Sequence, residues 1–228
     1  MELALNDAIR QVRTRLDELS AEETDMMLSS ADDRNLETTI EELMPEAIKS
    51  VHLSAPLSLL RGKTIDNDEH LLDTIIVKQD EADSSVLVID FRGTSVEILR
   101  LISANIMNNK VTVFEAYSEN SIWGKMQQNK YLRGTPAHPF LIETSESEGY
   151  SPVYRYYSLP TKEPIADIAY KLTYVPAPEK SPDNKKYFIS DKLYLSVVNY
   201  LTGLVLQTYE KTELAQIYFT RATDAMQQ

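Results

Sequence analysis

The histidines that could do metal or acid–base chemistry are few and far apart. His52, His70 and His138 lie at distant positions, and none has a second histidine three or four residues away, the spacing that a helix-borne metal site needs. The 228 residues include no cysteine, which excludes disulfides, thiolate nucleophiles and cysteine-based zinc or iron–sulfur sites. The six glycines form no phosphate-binding loop, since the closest two are ten positions apart. We therefore expect no metal and no cofactor.

Carboxylates are plentiful, so their chemistry depends on placement. Asp90 and Glu143 lie in predicted strands and would form the acid pair of a hydrolase if those strands were neighbours. Residues 66–70 begin like a calcium loop, but Leu71 and Val77 stand where that loop needs glycine and glutamate. No G-x-S-x-G motif is present. We predict that the protein is not an enzyme and keep a carboxylate-based hydrolase as the lesser alternative.

Two segments have the composition of binding surfaces. Residues 125–136 mix bases, amides and a tyrosine, which fits a nucleic-acid- or peptide-binding loop as well as a plain linker. In residues 150–157, strand alternation places Tyr154 and Tyr156 on one face and Tyr157 on the other. The pair either packs in the sheet or, with Trp123, forms a subunit interface, because exposed aromatic side chains are enriched at such contacts.

The charge of the chain is unevenly distributed. It has 35 acidic and 23 basic residues, a net charge of −12. Residues 1–85 hold 20 acids and 8 bases, whereas residues 86–228 hold 15 of each. An excess of bases is what releases counterions from nucleic acid, so the first third is a poor candidate for gripping DNA or RNA.

Hydrophobic periodicity predicts helices at both ends of the chain. One helix covers residues 5–19, and a second follows a connection at 20–34 that includes one helical turn at 26–28. We expect Asp32, Asp33 or Asn35 to cap the second helix and Pro45 to kink or split it. From Ser190 onward the pattern predicts either a helical hairpin that breaks near residues 209–212 or one long bent helix. Gly203 indicates a close neighbouring helix.

The middle of the chain has strand patterns. We predict strands at residues 85–91, 111–116, 140–144, 153–158 and 168–175, with a hairpin loop around 146–150. We also predict a helix after Gly93, with apolar residues from Val96 to Ile106, and a short helix at 121–130. The prolines between residues 160 and 182 mark the end of this region.

These elements predict an α+β protein. A helical core built from residues 1–63 and 187–228 would carry an inserted, antiparallel β-containing module at 64–186. No stretch of the sequence is long and apolar enough for a membrane span, and the first residues are acidic where a signal peptide is basic. We expect a soluble intracellular protein with no membrane partner.

Three segments resemble a known family. They are DDRNLETTIEELMPEAI at residues 32–48, NKYLRGTP at 129–136, and SDKLY at 190–194 followed by ELA at 213–215. The arrangement resembles the head-tail connector, or adaptor, proteins of tailed bacteriophages, and most closely the ring protein beneath the portal of crAss-like phages. The family has no catalytic motif, so no functional residue is carried over.

The resemblance implies a structural virion protein at the head–tail junction, assembled in the host cytoplasm. About twelve copies would form a homo-oligomeric ring, contact the portal and neighbouring ring or tail proteins, and pass double-stranded DNA without binding it specifically. We hypothesise that Glu37, Glu41 and Glu42 face this channel, because acidic walls repel phosphate. The alternative is an intracellular protein–protein adaptor that uses an acidic helical face.

Overall fold

The computed structural model describes residues 2–22, 30–66, 75–81, 83, 85–95, 97–106, 111–129, 131–158, 168–178 and 186–227. The chain has an α+β fold with antiparallel sheets, as predicted. It divides into two compact units, a helical unit of residues 1–61 with 178–228 and a β unit of residues 62–177. The observed boundaries therefore lie at 61/62 and 177/178, whereas the sequence-based ones lie at 63/64 and 186/187.

In the chain, the β unit lies between the two parts of the helical unit. The helices are α1 Leu5–Glu22, α2 Ser30–Ser54, α3 Ile122–Gln127, α4 Tyr194–Thr208 and α5 Thr212–Asp224. The strands are β1 Glu2–Ala4, β2 Lys63–Asp66, β3 Ile76–Gln79, β4 Val86–Asp90, β5 Ile98–Ile106, β6 Tyr117–Ser118, β7 Phe140–Glu143, β8 Val153–Tyr157, β9 Tyr170–Pro176 and β10 Lys186–Phe188. Short 3-10 helices cover Leu57–Leu59 and Asp191–Leu193.

The apolar helix α4 forms the centre of the helical unit. It packs against α1, α2 and α5, and every residue from Ser196 to Asn199 and from Leu201 to Leu206 is buried. A Cβ atom on Gly203 would lie 2.6 Å from a ring carbon of Phe219 on α5, which confirms the predicted close approach. The chain breaks between α4 and α5, so the hairpin alternative is the one observed.

The helical unit differs from the sequence-based expectations at three points. Helix α2 begins at Ser30, so Asp32, Asp33 and Asn35 lie inside it and do not cap it. Pro45 does not split the helix, because buried side chains on both sides of it, from Ile40 to Val51, hold one continuous apolar stripe against the core. The sheet formed by β1 and β10 was missed, since three-residue strands carry too little pattern. The predicted turn at residues 26–28 lies outside the described residues.

A buried histidine connects the distant parts of the helical unit. The His52 side chain is fully buried; its Nδ1 lies 2.9 Å from the Ile48 carbonyl oxygen, and its Nε2 accepts from the Ser190 backbone N–H at 3.2 Å. Ser190 Oγ in turn accepts from the Arg61 N–H and donates to the Arg61 carbonyl, each at 2.9 Å. A neutral ring protonated on Nδ1 satisfies both contacts. We call these three residues, His52, Ser190 and Arg61, the His52 junction.

The β unit contains two sheets that share one core. The three-stranded sheet has the order β2-β9-β5, and the five-stranded sheet the order β3-β4-β8-β7-β6, with only β6 and β7 parallel. Apolar residues of both sheets form one buried cluster, which includes Leu87, Ile89, Leu101, Tyr156 and Leu172. The predicted strands at 85–91, 140–144, 153–158 and 168–175, the hairpin loop and the short helix near Trp123 are confirmed.

The helix predicted after Gly93 is wrong, because residues 98–106 form strand β5. Its buried residues Ile98, Leu101 and Ala104 recur every third position, as on a helix. The pairing of β5 with β9 shifts register between Ile98 and Arg100 and again between Leu101 and Ser103. Each bulge adds one residue, so the two-residue period of the strand becomes three. Likewise, residues 111–116 form no strand; Val113 makes only an isolated bridge to Ala104.

Candidate interaction surface

Strand register separates the carboxylates proposed for a hydrolase. Asp90 lies opposite Val153 and Glu143 lies opposite Tyr154, both across β8. Opposed residues share a face of the sheet and consecutive residues point to opposite faces, so Asp90 and Glu143 lie on opposite faces. This pair cannot act together on one substrate.

Of the two alternatives for Tyr154 and Tyr156, sheet packing is the one observed, and a subunit interface is not. They are 3% and 1% exposed and belong to the core of the β unit, where Tyr154 meets Phe91 edge-on at 6.2 Å between ring centres. Burial raises the pKa of the Tyr154 hydroxyl above its ordinary range. The predicted alternation itself is confirmed, since Tyr157 lies on the other face and is half-buried. The pair therefore does ordinary sheet packing, and only Trp123 of the three remains accessible.

Trp123 belongs to an aromatic cluster on the outer face of the five-stranded sheet. Its ring stacks on Phe140 of β7 at 5.9 Å between ring centres, and Tyr117 of β6 lies 6.0 Å from Trp123 and 6.2 Å from Phe140. Phe140 lies opposite Tyr157, which places both rings on the face that points away from the core. Helix α3 is thus attached to this outer face.

The loop after α3 is held by side chains at its base. Arg133 Nε donates to the Gln127 carbonyl at 2.8 Å, and the Gly134 N–H donates to Gln127 Oε1 at 2.8 Å. Gln127 is fully buried and also donates from Nε2 to the Trp123 carbonyl at 3.2 Å. Three contacts to one buried amide residue therefore fix where the loop leaves α3 and where it returns.

Arg133 also anchors the loop to the sheet. Its guanidinium donates to Asp83 Oδ2 and to Ser85 Oγ, just before β4, and lies 5.8 Å from the centre of the Tyr157 ring. The hydrogen bond from Ser85, aided by Arg133, lowers the pKa of Asp83 to about 2. The ion pair between Asp83 and Arg133 therefore contributes its full stability above pH 3.8, the ordinary pKa of an aspartate. This contribution is lost as the pH falls through about 2, where Asp83 of the folded chain becomes protonated.

Replacing Ser85 with alanine should raise the pKa of Asp83 towards its ordinary value, because the serine hydroxyl makes the largest contribution to the shift. Carbon-detected NMR titration of the Asp83 carboxyl group measures this directly. Ser95→Ala is the matched control, since Ser95 is an exposed serine of the same unit. An unchanged Asp83 titration in Ser85→Ala would contradict the assignment.

Four large apolar side chains are exposed on the segment so held. We call residues 121–134 the α3 segment; within it, Lys130 lies outside the described residues. Tyr131 is 83% exposed and Ile122 71%, and Leu132 and Trp123 are 49% and 42% exposed. Side chains of this kind on a fixed backbone lose little entropy when a partner covers them, which is a property of protein-binding surfaces. The segment flagged at residues 125–136 therefore overlaps this surface over residues 125–134.

Beside this segment, the outer face of the sheet carries ion pairs. Arg92 binds Asp90 with its Nη2 2.7 Å from Oδ2, and this contact lowers the pKa of Asp90. Arg155 lies 3.5 Å from Asp80 and 3.7 Å from Glu146, which also approaches Arg92 at 3.5 Å. These charges are matched locally, so this region offers little net charge to a ligand.

The acids assigned to a channel do not form one surface. Glu37 accepts from Arg13 of α1 at 2.9 Å. Glu37 and Glu41 are one turn apart on one side of α2, whereas Glu42 is rotated by about 100° and shares its side with Glu46. Glu42 and Glu46 are exposed, and Glu41 is half-buried. The sequence treated the three as one group because it does not show which side α1 covers.

The histidines and acids of the described ranges form no cluster of three or more metal-ligating residues. His52 is buried within the helical unit, His138 is exposed on a loop of the β unit, and His70 lies outside the described residues. Among the helices that the structure describes, none is both long and apolar enough to cross a membrane.

Comparison of the sequence with protein-family models gave no match, and comparison with curated proteins gave no match either. The assignment of the interaction surface therefore depends on the contacts and exposures described above. Sequence reasoning missed Asp83 and assigned no fixing role to Gln127 and Gly134, although both lie in the flagged segment 125–136. The one available signal was the density of amides, bases and glycine in residues 125–136.

Proposed function

We propose that the protein is a structural virion component, a head-tail connector ring subunit that binds a portal and neighbouring ring or tail proteins. The observation that carries this proposal is the α3 segment, which exposes four large apolar side chains from a backbone fixed by Gln127, Arg133 and Asp83. Such a surface suits assembly with other proteins. The resemblance of residues 32–48, 129–136 and 190–194 to connector proteins is the reason for proposing a head-tail connector ring as that assembly.

The charge distribution supports the same proposal. DNA that moves quickly through a ring should not bind its wall, and carboxylates repel phosphate without requiring specific contacts. The first 85 residues hold the whole net charge of −12. Among the acids of α2, Glu37 forms an ion pair with Arg13, so its charge is compensated locally.

Light scattering coupled to size-exclusion chromatography tests the function. The full chain is measured alone and mixed with the portal protein of a crAss-like phage. We expect a complex of many copies in the mixture, and electron microscopy of that complex should show a ring. A chain that stays monomeric in the mixture would contradict the proposal.

The double variant Ile122→Ser with Tyr131→Ser provides the matched comparison, because it removes exposed apolar area without touching the core. We expect it to fold normally and to assemble less. The adaptor alternative predicts a stable monomer that ignores the portal and binds a different protein.

A further inference from the structure

We propose that the α3 segment of one copy binds the outer stripe of helix α2 on a neighbouring copy. This inference rests on the proposed function, since it names the contact between adjacent subunits of the ring. The stripe consists of Glu42, Glu46, Lys49 and Leu53, which recur at helical spacing on one side of α2. We call it the Glu42 stripe.

On the α3 side, the surface is apolar with positive charge. Residues 120–142 contain no acidic residue and three bases, which are Lys125, Lys130 and Arg133. Arg133 is engaged by Asp83, whereas the Lys125 side chain is exposed next to Ile122 and Trp123 in sequence. Tyr131 and Leu132 supply the apolar anchors. A partner for this surface should combine negative charge with apolar area.

On the α2 side, the described surface has that combination. Helix α2 holds six acids and two bases, and Glu42 and Glu46 are both exposed on the Glu42 stripe. Leu53, two turns beyond Glu46, is 46% exposed. Lys125 would therefore face Glu42 and Glu46, and the Tyr131–Leu132 tip would cover Leu53. Lys49 lies between them as the one base of the stripe.

Charge complementarity favours a second copy of this chain as the partner that binds the Glu42 stripe. The acid excess lies wholly in residues 1–85 and the acid-free run lies in residues 120–142 of the same chain, so two copies are complementary to each other. The α3 segment and the Glu42 stripe are different surfaces. A contact between them is head-to-tail, and head-to-tail contacts close into rings or extend into filaments, whereas symmetric contacts stop at dimers.

Cysteine cross-linking tests the contact, because the chain has no cysteine of its own. Leu132→Cys protein is mixed with Glu46→Cys protein at high concentration and treated with a short bis-maleimide. We expect mixed dimers to form about tenfold faster than in a mixture of Leu132→Cys with Glu213→Cys, whose second position is exposed on α5. Equal rates in the two mixtures would overturn the proposal. So would a faster reaction of Leu132→Cys with itself, since that would be a symmetric contact.

Charge exchange gives a second readout on the same contact. We expect Lys125→Glu in the Leu132→Cys protein and Glu42→Lys in the Glu46→Cys protein, each introduced alone, to slow the reaction, and the two together to restore most of its rate. Lys49→Glu should not slow it, because this change adds negative charge to the stripe. If each charge reversal slows the cross-linking reaction but the two together do not restore its rate, the α3 segment binds something other than the Glu42 stripe. This result would overturn the proposal.

The two failures are distinguishable. If the chain assembles on a portal but the Leu132–Glu46 pair shows no preference, the proposed function stands and the subunit contact lies elsewhere. If that pair is preferred but the chain ignores the portal, the self-contact stands and the connector function fails.

Discussion

Gly134→Ala should destabilise the β unit by about 3 kcal/mol or more and release the loop that carries Tyr131. A Cβ atom at this position would lie 2.1 Å from the Tyr157 carbonyl oxygen and 3.0 Å from the Phe140 backbone nitrogen. Both neighbours are backbone atoms of strands, so the loop must move instead, and overpacking of this kind costs about 1–3 kcal/mol. Moving it also breaks the Gly134 hydrogen bond to the buried Gln127 amide, which adds about 1–3 kcal/mol.

Chemical denaturation with Tyr and Trp fluorescence measures this effect. Gly149→Ala is the matched control, because Gly149 has a φ of +56° and no atom within 4 Å of the added Cβ. It should cost only about 1–2 kcal/mol, the usual penalty for a left-handed alanine. Equal losses of stability in the two variants would show that the close approach at Gly134 is unimportant. When Gly134→Ala is introduced into the Leu132→Cys protein, the cross-link to the Glu46→Cys protein should be lost.

His52→Ala should destabilise the helical unit by about 3 kcal/mol or more. The substitution opens a cavity in a fully buried position and leaves the Ser190 N–H without its acceptor. A buried donor without a partner costs about 1–3 kcal/mol, and truncating a large buried side chain costs a further 2 kcal/mol or more. His138→Ala, at an exposed position, should change the free energy of unfolding by less than about 0.5 kcal/mol. Denaturant unfolding followed by circular dichroism compares the two.

His52 also makes stability depend on pH. Burial lowers its pKa below 6.5, so the folded chain keeps the ring neutral while the unfolded chain binds a proton once the pH falls below 6.5. Stability is therefore full above about pH 6.5 and declines below it, by up to about 1.4 kcal/mol per pH unit, until the folded-state pKa is reached. In His52→Gln this part of the pH dependence should vanish. A wild-type and a variant profile with the same slope would contradict the neutral ring.

The sequence predicted the elements whose periodicity comes from one buried face. Residues 5–19 and 190–226 show the helical spacing of apolar residues, and 85–91 and 153–158 show strand composition, so these were correct. It failed where tertiary contacts override the local pattern. The two bulges of β5 imitate a helix, and the continuous apolar stripe of α2 tolerates Pro45.

The candidate surface was only partly predictable. Trp123 and the composition of residues 125–136 pointed to the α3 segment, but the contacts that fix it join positions up to 50 residues apart, such as Arg133 with Asp83. Sheet packing and a subunit interface both stayed open for Tyr154 and Tyr156, because alternation defines two faces without saying which one the second sheet covers. The register of Asp90 and Glu143 likewise depends on their shared neighbour β8, which no local pattern shows.

The division of the chain has a consequence for how it folds during synthesis. The β unit is one continuous stretch, so its contacts can form as soon as residue 177 has left the ribosome. The helical unit needs α4 at its centre, and α4 is made after the entire β unit. Until then α1 and α2 have no central helix to bury their apolar stripes. Those stripes remain open to chaperones and to misassembly throughout the synthesis of the β unit, and the His52 junction cannot form before Ser190 has been made.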